Sequence, residues 1–239
     1  MGAQSVDTRD PSTFSSEAKN ETFEDTIKTL NQYYDAVVLR HPKPGMANKA
    51  AAVSNIPIIN AGGGTDQHPT QALLDIYTLY RLFKEINGLS IAMVGDLLHG
   101  RTVRSLSYLL SKFKDITIYY VSPPETRMRD DVKNHLKENN ITFLETGDLQ
   151  EILPEVQAVY ETRVQAEWFD NKEDYETAKD KCILIPEIMP AGRYPYILHP
   201  LPRNKEIDPR LDTDSRAKYF EQAHNGLIIR MALLQMLLT

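Results

Sequence analysis

Residues 56–75 read "IPIINAGGGTDQHPTQALLD", and three kinds of chain meet in that stretch. Its opening is apolar and β-branched without alternation, the pattern of a strand buried on both faces. Gly62, Gly63 and Gly64 follow, a run of permissive backbone. Pro69 then stands where the first turn of a helix tolerates a missing N–H, and an apolar helical repeat begins behind it. A strand, a glycine loop and a helix in that order form half of a βαβ unit. The reading predicts a parallel sheet covered by helices.

The alternation recurs along the chain. Unalternating runs at 36–40, 90–96, 116–122, 141–146, 158–163 and 196–202 read as further strands. Leu73, Ile76, Tyr77 and Tyr80 recur at helical spacing, as do Val103, Leu106, Leu110 and Phe113, which predicts apolar stripes on two helices. The expected fold class is α/β, two doubly wound parallel-sheet domains joined by a long helix from Pro69 to about Ile86, stopped by Asn87-Gly88.

Composition narrows the function. With 239 residues, 41% apolar and 25% charged, the chain can bury a sizeable core. A net charge of −6 argues against a nucleic-acid binder. Cys182 is the single cysteine, so no internal disulfide is expected and a reducing, cytoplasmic setting fits. No secretory h-region opens the chain, Val6 breaks a myristoylation pattern, and 226–238 is too short to span a bilayer and carries Arg230. No membrane role is expected. His135 and His224 lack partners at metal-ligand spacing, so neither a metal nor a cofactor is expected.

Sites in such folds lie at the carboxyl ends of strands. Arg40 follows the first run, His68 and Gln71 the second, Arg101 and Thr102 the third. Arg163 and Gln165 follow the run at 158–163, and the last run ends on Leu201-Pro202-Arg203. One such arginine reads most simply as a surface ion pair. Several at successive strand ends point to a small polyanion, because guanidinium forks match carboxylate and phosphate oxygens. His68, just before Pro69, sits where a helix N-terminus favours an anion. "GDLLHGRT" at 95–102 resembles a phosphate-binding P-loop with Arg101 in place of its lysine. Arginine is a poor stand-in there, and no magnesium-holding Asp follows a later strand.

Taken in order, "ETFEDTIKTL", "RHP", "NAGGGTDQHPTQALLD", "MVGDLLHGRTVRSL", "TRVQ", "LHPLPR" and "YFEQAHNGLIIRMALL" resemble the aspartate carbamoyltransferase catalytic chain. The sister ornithine enzymes would show a cysteine in the "HPTQ" and "HPLP" positions, which this chain does not. The resemblance implies transfer of a carbamoyl group from carbamoyl phosphate to L-aspartate, an early step of pyrimidine synthesis, without metal or cofactor. By motif position, Arg40, His68 and Gln71 would hold carbamoyl phosphate, with Arg40 and His68 polarising its carbonyl, and main-chain groups of Leu201 and Pro202 would meet the carbamoyl end. Arg101, Arg163 and Gln165 would clamp the aspartate carboxylates, with Thr102 nearby. His68 is expected to stay neutral as a donor, and the phosphate to accept the proton.

The family builds its sites between subunits of a homotrimer. Ser15 would then reach a neighbour's carbamoyl phosphate and Lys19 its aspartate; a regulatory subunit is a further possible partner. The resemblance divides the chain into 1–68 plus 225–239 for carbamoyl phosphate, a connecting helix at 69–87, and 88–224 for aspartate. The family's Ser-Thr-Arg-Thr phosphate loop and the helix behind it would precede Met1, leaving the first domain N-terminally truncated. "DTRDPST" at 7–13 is acidic, contains Pro11 and sits too late to replace the loop. The alternative is a non-catalytic relative that binds anions or a partner subunit.

Overall fold

A computed structural model describes residues 4, 21–164, 175 and 182–239. Helix α1 (Phe23–Leu30) is capped by the Thr22 hydroxyl, which accepts from the Asp25 amide at 3.2 Å. Strands β1 (Val37–His41) and β2 (Ile58–Gly63) pair in parallel across helix α2 (Met46–Val53). Helix α3 (Pro69–Phe83) then carries the chain to a second sheet.

That sheet holds β3 (Ser90–Val94), β4 (Thr117–Val121), β5 (Thr142–Thr146), β6 (Ala158–Glu161) and β7 (Tyr196–Leu198). Between them run α4 (Arg101–Leu110), α5 (Asp130–Glu138) and α6 (Leu149–Ile152), and α7 (Tyr219–Leu238) closes the chain. All five strands are parallel, in the order β5-β4-β3-β6-β7. The chain moves outward from β3 through β4 to β5, then returns to β6 on the other side of β3. Loops leaving β3 and β6 therefore diverge, which opens a crevice at their carboxyl ends.

The two sheet faces explain the unalternating strand sequences. Ile91, Met93, Ile118 and Tyr160 join one buried cluster, while Ala92, Val94, Val121 and Val159 join another on the opposite face. Successive side chains point to opposite faces, so a doubly covered strand needs apolar residues at every position.

Helix α3 departs from its apolar periodicity. It buries Thr70, Gln71, Leu74, Asp75, Thr78 and Leu79, whereas Tyr80 is 52% exposed. The cause lies on α7. Gln222 Nε2 donates to Asp75 Oδ1 at 2.6 Å, Asn225 Nδ2 to Thr78 Oγ1 at 2.9 Å, and Arg81 Nη1 to Asn225 Oδ1 at 2.8 Å. Polar groups can be buried on this seam because each meets a polar partner. A Cβ on Gly226 would stand 3.0 Å from Leu74 Cδ2, so the two helices run close together.

Two boundaries also differ from the sequence reading. Helix α3 stops at Phe83, ahead of Asn87-Gly88, because Lys84 turns left-handed (φ 65°) and the Glu85 carboxylate accepts from the Ile86 and Asn87 amides. Helix α7 starts at Tyr219, ahead of Asn225. Among the described residues, no helix is long and apolar enough to cross a membrane.

Candidate functional site

The site is built where the β2–α3 loop meets the first turns of α4. Arg101 opens α4, and its Nη1 donates to the Gly64 carbonyl at 3.1 Å. A Cβ on Gly62 would come within 3.2 Å of the Arg101 guanidinium carbon, and Gly62 has φ 120°. Glycine at 62 thus serves two ends: a left-handed backbone, and room for a guanidinium lying against it. Close by, the His68 amide donates to Ser105 Oγ at 2.8 Å, fixing the β2–α3 loop onto α4.

His68 is half-buried, and its imidazole is pushed down to about 4. Burial is the main cause, and the guanidinium charges of Arg101, Arg230 and Arg40 add to it. Arg101 is itself shifted downward by burial and by Arg40. Three arginines from β1, α4 and α7 therefore act on one imidazole, which stays neutral at pH 7. Arg230 escaped the sequence reading as a site residue because it lies inside an apolar helix, far from any strand end. No local signal marks it.

Gln71, one turn into α3, donates from Nε2 to Asp75 Oδ1 at 2.9 Å, and the Tyr160 hydroxyl donates to Asp75 Oδ2 at 2.8 Å. Asp75 is fully buried, which drives its carboxyl up to about 7 against the lowering pull of Gln222, Tyr160 and Gln71. The available clue was a carboxylate one helical turn from Gln71 in the apolar run Ala72–Tyr77.

Arg163 leaves β6 on the other side of the crevice, exposed, and helps line a cavity of about 400 Å³ with Val164, Asn204, Lys205 and Glu206. Leu201 holds φ 53°, and its amide donates to His199 Nδ1 at 2.8 Å. That leaves Nε2 as the protonated nitrogen of a neutral ring, 2.9 Å from Glu206 Oε1. Leu201-Pro202 is a cis peptide. Ser15, Lys19 and Gln165 lie outside the described residues.

The P-loop lookalike at 95–102 has a different use. Four of its amides are already committed: Gly95 donates to the Val121 carbonyl, Leu97 and Leu98 to the Thr126 carbonyl, and His99 to Asp96 Oδ1. A phosphate cradle needs such amides pointing at the ligand. Gly95 is required by packing, since a Cβ there would stand 2.1 Å from the Thr162 carbonyl oxygen.

Comparison with known proteins gives the family. The family described as aspartate/ornithine carbamoyltransferase matches in two parts, the Asp/Orn binding domain over residues 87–237 and the carbamoyl-P binding domain over residues 1–81. The chain is 49% identical to the chloroplastic aspartate carbamoyltransferase of Arabidopsis thaliana, over 100% of this chain and 62% of that protein. Identity to the aspartate carbamoyltransferase catalytic subunit of Methanocaldococcus jannaschii is 45%, over 94% of this chain and 73% of the subunit. The crystal structure of Trypanosoma cruzi aspartate transcarbamoylase with N-(phosphonacetyl)-L-aspartic acid matches with a TM-score of 0.90 and 36% identity, covering 98% of this chain and 75% of that one. A second structure from T. cruzi holds carbamoyl phosphate. The chain spans 61–62% of the length of its pea and Arabidopsis relatives.

Proposed function

The chain belongs to the aspartate carbamoyltransferase family, and from that premise we propose that it transfers the carbamoyl group of carbamoyl phosphate to the amino group of L-aspartate. The products are N-carbamoyl-L-aspartate and phosphate, as in pyrimidine synthesis. The observation that carries this reading is the convergence of Arg40, Arg101 and Arg230 on a histidine kept neutral. Fixed positive charge beside an uncharged donor suits a phosphate dianion joined to a carbonyl on which negative charge builds during attack.

In this reading Arg40 and His68 donate to the carbamoyl oxygen, and Gln71 with the main chain of Leu201 and Pro202 meets the carbamoyl amine. Arg101, Arg163, Thr102 and Gln165 hold the aspartate carboxylates, so the amine is brought onto the carbonyl carbon by position and charge alone. With its imidazole pushed down to about 4, His68 is too weak a base for the ammonium proton, and the departing phosphate takes it. We place Ser15 and Lys19 in the site of a neighbouring copy, within a cytosolic homotrimer.

The test is formation of carbamoyl aspartate by the purified 239-residue chain given both substrates. Product is expected, with His68→Ala and Arg40→Ala each lowering kcat by at least about a hundredfold. Folded protein that binds phosphate yet forms no product would overturn the reading in favour of an anion-binding relative.

A further inference from the structure

Three donors from three elements converge on the Asp75 carboxyl. Gln71 Nε2 of α3 lies 2.9 Å from Oδ1, Gln222 Nε2 of α7 lies 2.6 Å from the same oxygen, and the Tyr160 hydroxyl of β6 lies 2.8 Å from Oδ2. The orientation of Gln222 has an independent anchor. Its Oε1 accepts the His199 main-chain N–H at 2.8 Å, and a main-chain N–H can only donate. The NH2 of Gln222 must therefore face Asp75, and Oδ1 of the ionised Asp75 carboxylate can only accept from both glutamines. That same oxygen takes the NH2 of Gln71, which leaves Gln71 Oε1 as an acceptor at the α3 N-terminus, one turn from His68.

A glutamine amide without such an anchor can turn over, presenting NH2 where its oxygen had been. We propose that Asp75 is a positioning residue that fixes the direction of the Gln71 amide, so that Oε1 selects an acyl phosphate ending in N–H over one of equal shape ending in a methyl. This rests on the carbamoyl-transfer reading of the site. A pocket that offers a fixed acceptor rejects a ligand unable to donate to it, because the acceptor is then left unpaired. Carbamoyl phosphate and acetyl phosphate differ by this one group.

The experiment uses the full chain as wild type, Asp75→Leu and Asp75→Asn, with folding checked by circular dichroism. Calorimetry gives the ratio of Kd values for acetyl phosphate and carbamoyl phosphate. Nitrogen-15 NMR on the same proteins, without ligand, reads hydrogen exchange of the Gln71 side-chain amide. Wild type is expected to favour carbamoyl phosphate by about tenfold, with a protected Gln71 amide. Asp75→Leu loses both. Asp75→Asn keeps both, since its Oδ1 still accepts from the two glutamines while Nδ2 donates to the Tyr160 oxygen. A folded Asp75→Leu with undiminished preference overturns the inference. So does a wild-type Gln71 amide that exchanges like an exposed one, a result that needs no variant to fold. Protected amides in a wild type that binds neither acyl phosphate would instead overturn the carbamoyl-transfer reading, while leaving the fixed amide in place.

Discussion

The half-buried imidazole of His68 and the buried carboxyl of Glu161 titrate in opposite senses. His68 is pushed down to about 4, so the stability tied to its neutral form is present above about pH 6.5 and is lost as pH falls toward 4. In proton NMR its ring resonances should hold steady from about pH 5.5 to 8; a midpoint near 6.5 would mean that neither burial nor the arginines act on it. Glu161 is fully buried, and among the described residues neither carboxyl oxygen has a hydrogen-bond partner. Burial first, and then the neighbouring Glu206, raise its carboxyl well above the usual range. A raised carboxyl contributes most below its unfolded value and loses that contribution as pH climbs. Glu161→Met is therefore expected to stabilise the protein by about 1–3 kcal/mol in urea unfolding at pH 8, and by less at pH 4. A destabilised variant at pH 8 would show that the carboxylate has found a partner.

Elements meet at close quarters in two places, and a methyl group separates their tolerances. At the β3–α4 turn, Gly95 has φ 109° and would push a Cβ to 2.1 Å from rigid main chain at Thr162. Gly95→Ala should cost about 3 kcal/mol or more and spread the crevice between β3 and β6, read as a lowered denaturation midpoint. On α7, a Cβ at Gly226 would meet first the Arg230 Nη1, the far end of a movable side chain, at 2.3 Å. Gly226→Ala also gains helix propensity of about 1 kcal/mol, so a net change within about 1 kcal/mol is expected. Equal losses at the two positions would contradict this contrast. The same elements mark how far the sequence could be read. Strands β3 and β6 were legible because double burial writes a continuous apolar run, whereas β1 and β5 are partly exposed and showed through their β-branched and aromatic residues. The buried face of α3 was not, because Gln71, Asp75 and Thr78 carry no apolar period and their partners on α7 lie 147 positions away. Arg40, His68 and Arg101 stood out at strand ends, yet their convergence on one another, with Arg230, required coordinates.

Across the whole molecule the second sheet is covered on both faces, while α7 leaves Leu227, Met231, Met236, Leu237 and Leu238 exposed beyond its seam with α3. An apolar strip of this kind promotes association. Leu227→Glu with Met231→Lys should lower hydrophobic-dye fluorescence and light scattering, and leave the unfolding midpoint within about 0.5 kcal/mol of wild type. Unchanged scattering would place the association surface elsewhere. The α3–α7 seam bears on how the protein is made. During synthesis the β2–α3 loop leaves the ribosome early, with His68 and Gln71 already present. Gln222, the anchor that settles Asp75 as an acceptor, follows Asp75 by 147 residues. A nascent chain thus carries the residues of its ligand pocket long before it can orient them, and competence to bind is acquired only once α7 has emerged.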